Sequence, residues 1–263
     1  MHRPIRIVVP FKLDGAKSRL SSVLQPQERR LLALAMLGDV LKTVREFGSV
    51  TILSRPGLNA ERLRSLDPVF GADNDAENSA DNDVDNNADN CSVHSTGEGI
   101  DIRESEKDLN DAINELIERE AADGWHRDIL IVMADLALLA KNDIVGIINC
   151  PGDVILCPGR GGGTNMILIN SPEFRTCYRK LSFSRHLDFA RKAGLDACVF
   201  ESFRAGSDID EPEDLVELLL HGRGEARKLI EKMGFAISDE VRASTGKAPV
   251  MRRSCPADSH SPM

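Results

Sequence analysis

The sequence predicts an α/β protein built on a mainly parallel sheet, and three observations predict it. Short β-branched runs recur along the chain, apolar enough for strands buried on both faces. Helical stretches with apolar residues every three or four positions separate them. The chain also opens strand, loop, helix, strand, which is the order of a parallel crossover unit.

The first run is Arg6–Pro10. A polar loop follows, and Pro26 opens a long helix whose stripe is Leu34, Leu37, Leu41 and Val44, extended by Leu31 and Phe47. Val50–Leu53 is the second strand, ended by Pro56-Gly57. From about residue 67 to 97 the chain turns into an Asp-Asn-Ala repeat with few apolar residues, which cannot offset the entropy of ordering and is expected to be a disordered insertion. Asp81, Asp83 and Asp85 imitate the start of an EF-hand loop, but Asn86 stands where the turn glycine belongs and Ser92 where the closing Glu belongs. Asp108 then caps a helix through Ile117, Ile129–Met133 is a central strand, and Ile144–Ile148 lies in a short helix. Val154–Cys157 and Met166–Ile169 are strands on either side of a glycine turn. A helix from Ser184 to Ala193, a strand at Cys198–Phe200, a helix from Glu211-Pro212 through Leu220 and another from Gly224 to Met233 complete the domain, 1–234. Residues 235–263 are rich in Ser, Pro and Arg and read as a flexible tail.

Charge narrows the function classes. Asp73–Asn90 carries six Asp, one Glu and no Lys or Arg, which is seven of the nine net negative charges in the 263 residues. The core is therefore close to neutral and lacks the clustered basic face that nucleic-acid binding needs. No apolar run reaches the roughly 18–20 residues that span a bilayer, and a cytoplasmic protein is expected. The six cysteines form no C-x-x-C pair, so they read as small neutral thiols.

Four segments could carry chemistry. The loop after the first strand holds Lys12, Lys17 and Arg19 around Gly15, either a phosphate cradle or a solvated basic loop. Asp135 follows the central strand, either a magnesium carboxylate or a turn residue. Asp208 and Asp210 lie two apart in Ser207-Asp208-Ile209-Asp210-Glu211-Pro212 and would face one way in an extended segment. They form a metal clamp, or Asp210 caps the helix that Pro212 opens. Gly159-Arg160-Gly161-Gly162-Gly163-Thr164-Asn165 is no Walker loop, since no G-K-[ST] ends it and a strand follows. It can expose backbone N–H groups to an anion, or serve as a flexible hairpin turn. Asn110, and Ser182 with His186, stand near helix starts, where anions are favoured. A lone histidine there reads first as a packed or capping residue.

Taken together, VPFKLDGAKSRLS at 9–21, KDLNDAINELI at 107–117, ILIVMADLALL at 129–139, PGRGGGTNMILI at 158–169, SFSRH at 182–186 and AGSDIDEPEDLVELLLHG at 205–222 give the chain a family resemblance. It resembles the archaeal 2-phospho-L-lactate guanylyltransferases of coenzyme F-420 biosynthesis. The resemblance implies a three-layer, Rossmann-like nucleotidyltransferase fold with a mixed, mainly parallel sheet. It implies GTP as donor, 2-phospho-L-lactate or phosphoenolpyruvate as acceptor, Mg²⁺ as cofactor, a possible homodimer, and a downstream transferase as pathway partner. Lys17, Asp135, Asp208 and Asp210 take the catalytic positions, the three aspartates holding metal. Gly15, Lys17, Arg19 and Asn110 face the nucleotide, and Lys12, Gly163, Thr164 and Ser182 the acceptor. Two departures stand out: Ala137 replaces the proline usual after the central strand, and neither the acidic insertion nor the tail has an assignable counterpart. The rival enzyme readings are transfer to phosphoenolpyruvate, to 3-phosphoglycerate or to a molybdopterin. The rival outside enzymes is a degenerate nucleotide-binding scaffold, which retention of the three aspartates and the basic loop argues against.

Overall fold

The computed structural model describes residues 3–13, 15–58, 93–95, 100–237 and 250–252. The strands of the main sheet are β1 (Ile5–Phe11), β2 (Ser49–Ser54), β3 (Val93–Ser95), β4 (Ile100–Glu104), β5 (Asp128–Val132), β6 (Val154–Pro158), β7 (Thr164–Ile169) and β8 (Ala197–Val199). They lie in the order β3-β4-β2-β1-β5-β7-β6-β8. β4, β2, β1 and β5 pair in parallel. β7 is antiparallel to both β5 and β6, while β8 is parallel to β6. All strands except β3 and β7 therefore run one way, the mixed and mainly parallel sheet that was expected. Because β7 is reversed, its first residues arrive at the edge where β1 and β5 end.

Helices cover both faces. On one face α1 (Pro26–Val44) and α3 (Lys141–Ile148) pack Leu37, Val40, Val44, Ile144 and Ile147 against Ile7, Val9, Ile52, Leu130 and Leu168. On the other, α2 (Leu109–Ala122) and α4 (Ser182–Lys192) bring Ile113, Leu116, Ile117 and Ala190 against Val8, Ile129, Ile131 and Ile167. β1 is buried on both faces, which is why it reads as a continuous apolar run. α1 starts at Pro26, as its fixed φ favours, with Gln25 N donating to Glu28 at 2.8 Å. The expected cap at Asp108 is present and accepts from Asp111 N at 3.0 Å. A third cluster sits outside α1, where α5 (Asp214–His221) and α6 (Glu225–Lys232) bury Leu215, Leu218, Ala226 and Ile230.

Several boundaries differ from expectation. The chain continues past residue 234 as β9 (Phe235–Ile237), paired antiparallel with β10 (Val250–Arg252), and Phe235 is buried against α5 and α6. The expected tail thus begins as structure; its residues 238–249 and 253–263 lie outside the described residues. β3 falls inside the expected insertion and pairs with β4, a strand with only two apolar residues that the sequence did not reveal. Strand pairing with a neighbour supplies what local composition lacks. The acidic stretch 73–90 and its EF-hand-like triplet lie outside the described residues. α4 begins two residues earlier than expected, and α5 begins at Asp214 rather than at Glu211-Pro212. Among the described residues no helix is long and apolar enough to cross a membrane.

Candidate active site

Three distant segments meet at the carboxyl edge of the parallel strands, where open α/β sheets place ligands. The loop after β1 contributes Lys17, whose backbone is left-handed (φ 54°, ψ 42°). A non-glycine residue there costs about 1–2 kcal/mol, and such strain concentrates at functional sites. The conformation turns Lys17 inward: Nζ lies 2.8 Å from Asp135 Oδ2 and 3.4 Å from Asp210 Oδ1, and the side chain is only 9% exposed. Arg19 Nη1 reaches Asp210 Oδ2 at 2.5 Å from a largely exposed position. The basic loop is therefore clamped to the acidic positions and is not a free solvated loop.

Asp135 follows β5, and its carbonyl accepts from Ile209 N at 3.2 Å, which docks the 207–211 loop beside it. Its Oδ1 is buried without a hydrogen-bond partner. An orphaned carboxylate oxygen is costly and calls for a partner. Asp208 accepts from Asn165 Nδ2 at 3.2 Å. Burial first, and the nearby charge of Asp135 second, push its pKa above the ordinary aspartate value, with the Asn165 bond opposing.

Asp210 is not a helix cap. Its backbone is itself held: Asp214 Oδ2 accepts from Asp210 N at 2.9 Å and from Glu211 N at 2.7 Å. The other Asp214 oxygen pairs with Arg160 Nη1 at 2.8 Å, and Arg160 Nη2 donates to Ser207 Oγ at 3.3 Å. Arg160, in the glycine turn, thereby locks that turn to the acidic loop. The sequence names Arg160 only as part of the glycine turn, and it does not point to Asp214. The available signal was an aspartate four residues beyond Asp210, at the start of a helix.

The glycines divide their tasks. Gly161 and Gly162 have φ of 69° and 80°. A Cβ on Gly159 would sit 2.1 Å from Asn165 Oδ1, so only glycine lets that side chain through. Gly163 has φ −71° and room for a Cβ, so the turn's geometry does not demand it.

β7 then carries a bulge. Cys157 pairs with Met166 but Pro158 with Thr164, which leaves Asn165 as the extra residue. Regular alternation would give Thr164 the face of Met166, the side of α1. The bulge instead aims Thr164 at α4, where its Oγ1 lies 3.1 Å from Ser182 Oγ and 2.9 Å from His186 Nδ1. Asn165 takes the opposite direction, to Ala205 O and Asp208.

Lys12 lines a cavity of about 290 Å³ between β1, β2 and the start of α2, with Ser54, Arg55, Ser105 and Lys107. It also lines a neighbouring one of about 200 Å³ that reaches Lys17 and Asp135. Asn110 stands apart from these: its Oδ1 accepts from Tyr178 N and ties α2 to the segment before α4. Gly15 supplies a positive-φ turn (φ 70°) with open space beside it.

Sheet order, site position and composition of the edge define an α/β nucleotidyltransferase fold. Solved structures agree: a candidate nucleotide-diphospho-sugar transferase from Desulfovibrio desulfuricans superposes with TM-score 0.64 at 16% identity, covering 87% of this chain and 94% of that one. A nucleotidyl transferase from Methanothermobacter gives TM-score 0.54 at 10% identity, covering 87% and 99%. The chain belongs to the CofC-like guanylyl transferase family, whose model matches residues 5–62 and 75–253. That match takes in the acidic stretch from residue 75 onward and part of the tail, which the sequence had left without a family counterpart. The chain is 45% identical over 237 residues to the 2-phospho-L-lactate guanylyltransferase of Methanothrix thermoacetophila, covering 90% of this chain and 93% of that protein. It is 32% identical to the protein of the same name from Archaeoglobus fulgidus, covering 90% and 94%.

Proposed function

We propose that this chain moves GMP from GTP to 2-phospho-L-lactate, releasing pyrophosphate and forming lactyl-2-diphospho-5'-guanosine for coenzyme F-420 assembly. The observation that carries the reading is the convergence of Lys17, Asp135 and Asp210, from segments more than 70 residues apart in the chain, on one sheet edge with an unpartnered Asp135 oxygen.

The donor set fits Mg²⁺: hard carboxylate oxygens, one of them orphaned. Among the described residues no three His, Cys, Asp or Glu side chains already form a cage. Mg²⁺ is usually held by one or two carboxylates together with substrate phosphates. One or two of Asp135, Asp208 and Asp210 would hold it, and when bound it supplies neutralisation of the triphosphate charge. Lys12, Lys17 and Arg19 neutralise the same phosphates, with the cavity of Ser54, Arg55, Ser105 and Lys107 next to them for the nucleoside. Gly163, Thr164 and Ser182 receive the acceptor on the other side of β7.

No general base is needed. A phosphate monoester has its second pKa near about 6, so its attacking oxygen is already ionised at pH 7. The residues must hold that oxygen in line with the α-phosphorus and stabilise the charge passing to pyrophosphate. Pyrophosphate release from GTP, measured with 2-phospho-L-lactate, phosphoenolpyruvate and 3-phosphoglycerate in turn, tests the proposal. Preference for 2-phospho-L-lactate is expected, and no release with any of the three overturns it. ATP and CTP in place of GTP test the choice of base.

A further inference from the structure

His186 has no part in the chemistry above, yet it is fully buried and both of its ring nitrogens are engaged. The rings of Phe174 and Tyr178 pack around it at centroid distances of 5.9 and 5.0 Å and fix its plane. Cys177 N–H donates to Nε2 at 2.8 Å, so that nitrogen must keep its lone pair. Burial drives the ring's pKa down to about 4, so it is neutral at pH 7 and its single proton sits on Nδ1. Nδ1–H therefore donates to Thr164 Oγ1.

We propose that His186 is a positioning residue that makes the Thr164–Ser182 hydroxyl pair a net hydrogen-bond donor to the anionic group of the phosphate acceptor. The inference rests on the acceptor role given to Thr164 and Ser182 above. It follows from counting protons. The pair owns two O–H groups, and the 3.1 Å bond between them consumes one. With His186 donating, the other O–H is left to point out of the pair. With the opposite tautomer, Nδ1 would take the Thr164 proton and Thr164 would take that of Ser182. The pair would then show only lone pairs, which repel a phosphate or carboxylate. The backbone N–H of Cys177 thus sets the polarity of a site two hydrogen bonds away. Both side chains are buried, so an acceptor that meets them does so away from bulk water. Thr164 is the first residue of β7 and Ser182 the first of α4, where no side chain caps the helix and Leu181 is left-handed (φ 55°).

Two measurements test this. In the wild-type protein, ¹⁵N NMR of the imidazole should show Nδ1 protonated and Nε2 bare at pH 7; the proton on Nε2, or a charged ring, overturns the inference. In steady-state kinetics His186→Gln keeps an acceptor group towards Cys177 but removes the donor towards Thr164. It should raise KM for the acceptor roughly 10-fold or more, as expected for a lost hydrogen bond to a charged group, and leave KM for GTP within about twofold. His186→Asn, whose amide N–H lies near the Nδ1 position, should recover most of that loss. An unchanged acceptor KM in His186→Gln, or an equal rise for GTP, overturns the inference. Wild-type turnover reports separately on the proposed reaction. If the wild type turns over none of the acceptors, calorimetric titration with phosphoenolpyruvate replaces kinetics. Binding that His186→Gln loses then keeps the inference while the reaction falls; equal binding by both proteins, or none by the wild type, overturns it as well.

Discussion

Asp214→Asn should cripple an enzyme whose carboxylate series it does not belong to. Asp214 holds the backbone N–H groups of Asp210 and Glu211 with one oxygen and Arg160 with the other. Bonds to a charged acceptor are worth about 1.5–3 kcal/mol and neutral ones about 0.5–1.5, so neutralising it costs roughly 1–1.5 kcal/mol for each of the two N–H bonds. The Arg160 pair adds less than about 1 kcal/mol, because that side chain is 44% exposed and solvent screens it. The sum is a loss of about 2–4 kcal/mol, read as a lower urea midpoint at unchanged slope. Asp210 then loses its fixed position between Lys17 and Arg19, so kcat at saturating substrates should fall at least roughly 10-fold while helix content stays native. A stability change below about 0.5 kcal/mol with normal kcat would refute the reasoning and make the Asp214 contacts incidental.

Asp135→Asn, Asp208→Asn and Asp210→Asn should each abolish turnover with the fold intact; normal turnover in any one removes that residue from the metal set. Asp208→Asn should also be more stable than wild type at pH 7. A carboxyl whose folded pKa is raised favours folding when protonated, so its charged form costs stability as pH climbs above the ordinary aspartate range. The Tm gain should therefore shrink as pH falls towards about 3.9, and a pH-independent difference would contradict this sign. Lys17→Ala and Arg19→Ala should raise the requirement for GTP, whereas Thr164→Val should mainly raise that for the acceptor; the same defect for both substrates in all three would show the site is not divided in this way. Gly159→Ala places a Cβ 2.1 Å from Asn165 Oδ1 and should cost about 1–3 kcal/mol together with activity, measured by denaturation and pyrophosphate release.

Much of the fold was legible because its central strands and amphipathic helices announce themselves locally. The run at Ile129–Val132 needs no tertiary information, and neither does the apolar stretch from Leu32 to Val44, although that helix is buried almost all round between two clusters. β4 and the β9–β10 pair were not legible: β4 mixes polar and apolar residues, and the three-residue β9 and β10 are too short to show a period, so each is made by its neighbour. The candidate carboxylates and Lys17 were visible as charges beside strands, and the structure brings Lys17, Asp135 and Asp210 together. What the sequence concealed was the support: Asp214, Arg160 and Asn165 act through backbone N–H groups or across 40 or more residues, and neither leaves a local pattern. Asn110 shows the opposite case. It stands at a helix start that favours anions, but its side chain is spent on Tyr178 N.

The bulge at Asn165 has a mechanical consequence. Consecutive Cα atoms are about 3.8 Å apart across a rigid trans peptide, so a single peptide plane separates the residue that steadies Asp208 from the one that meets Ser182 and His186. The two side chains leave opposite ends of that plane, so the loop that holds Asp208 and the helix that carries Ser182 are joined through one peptide unit. One bulged residue thus sets how closely the two sides of β7 are spaced. Selection acting on either half has to answer to both.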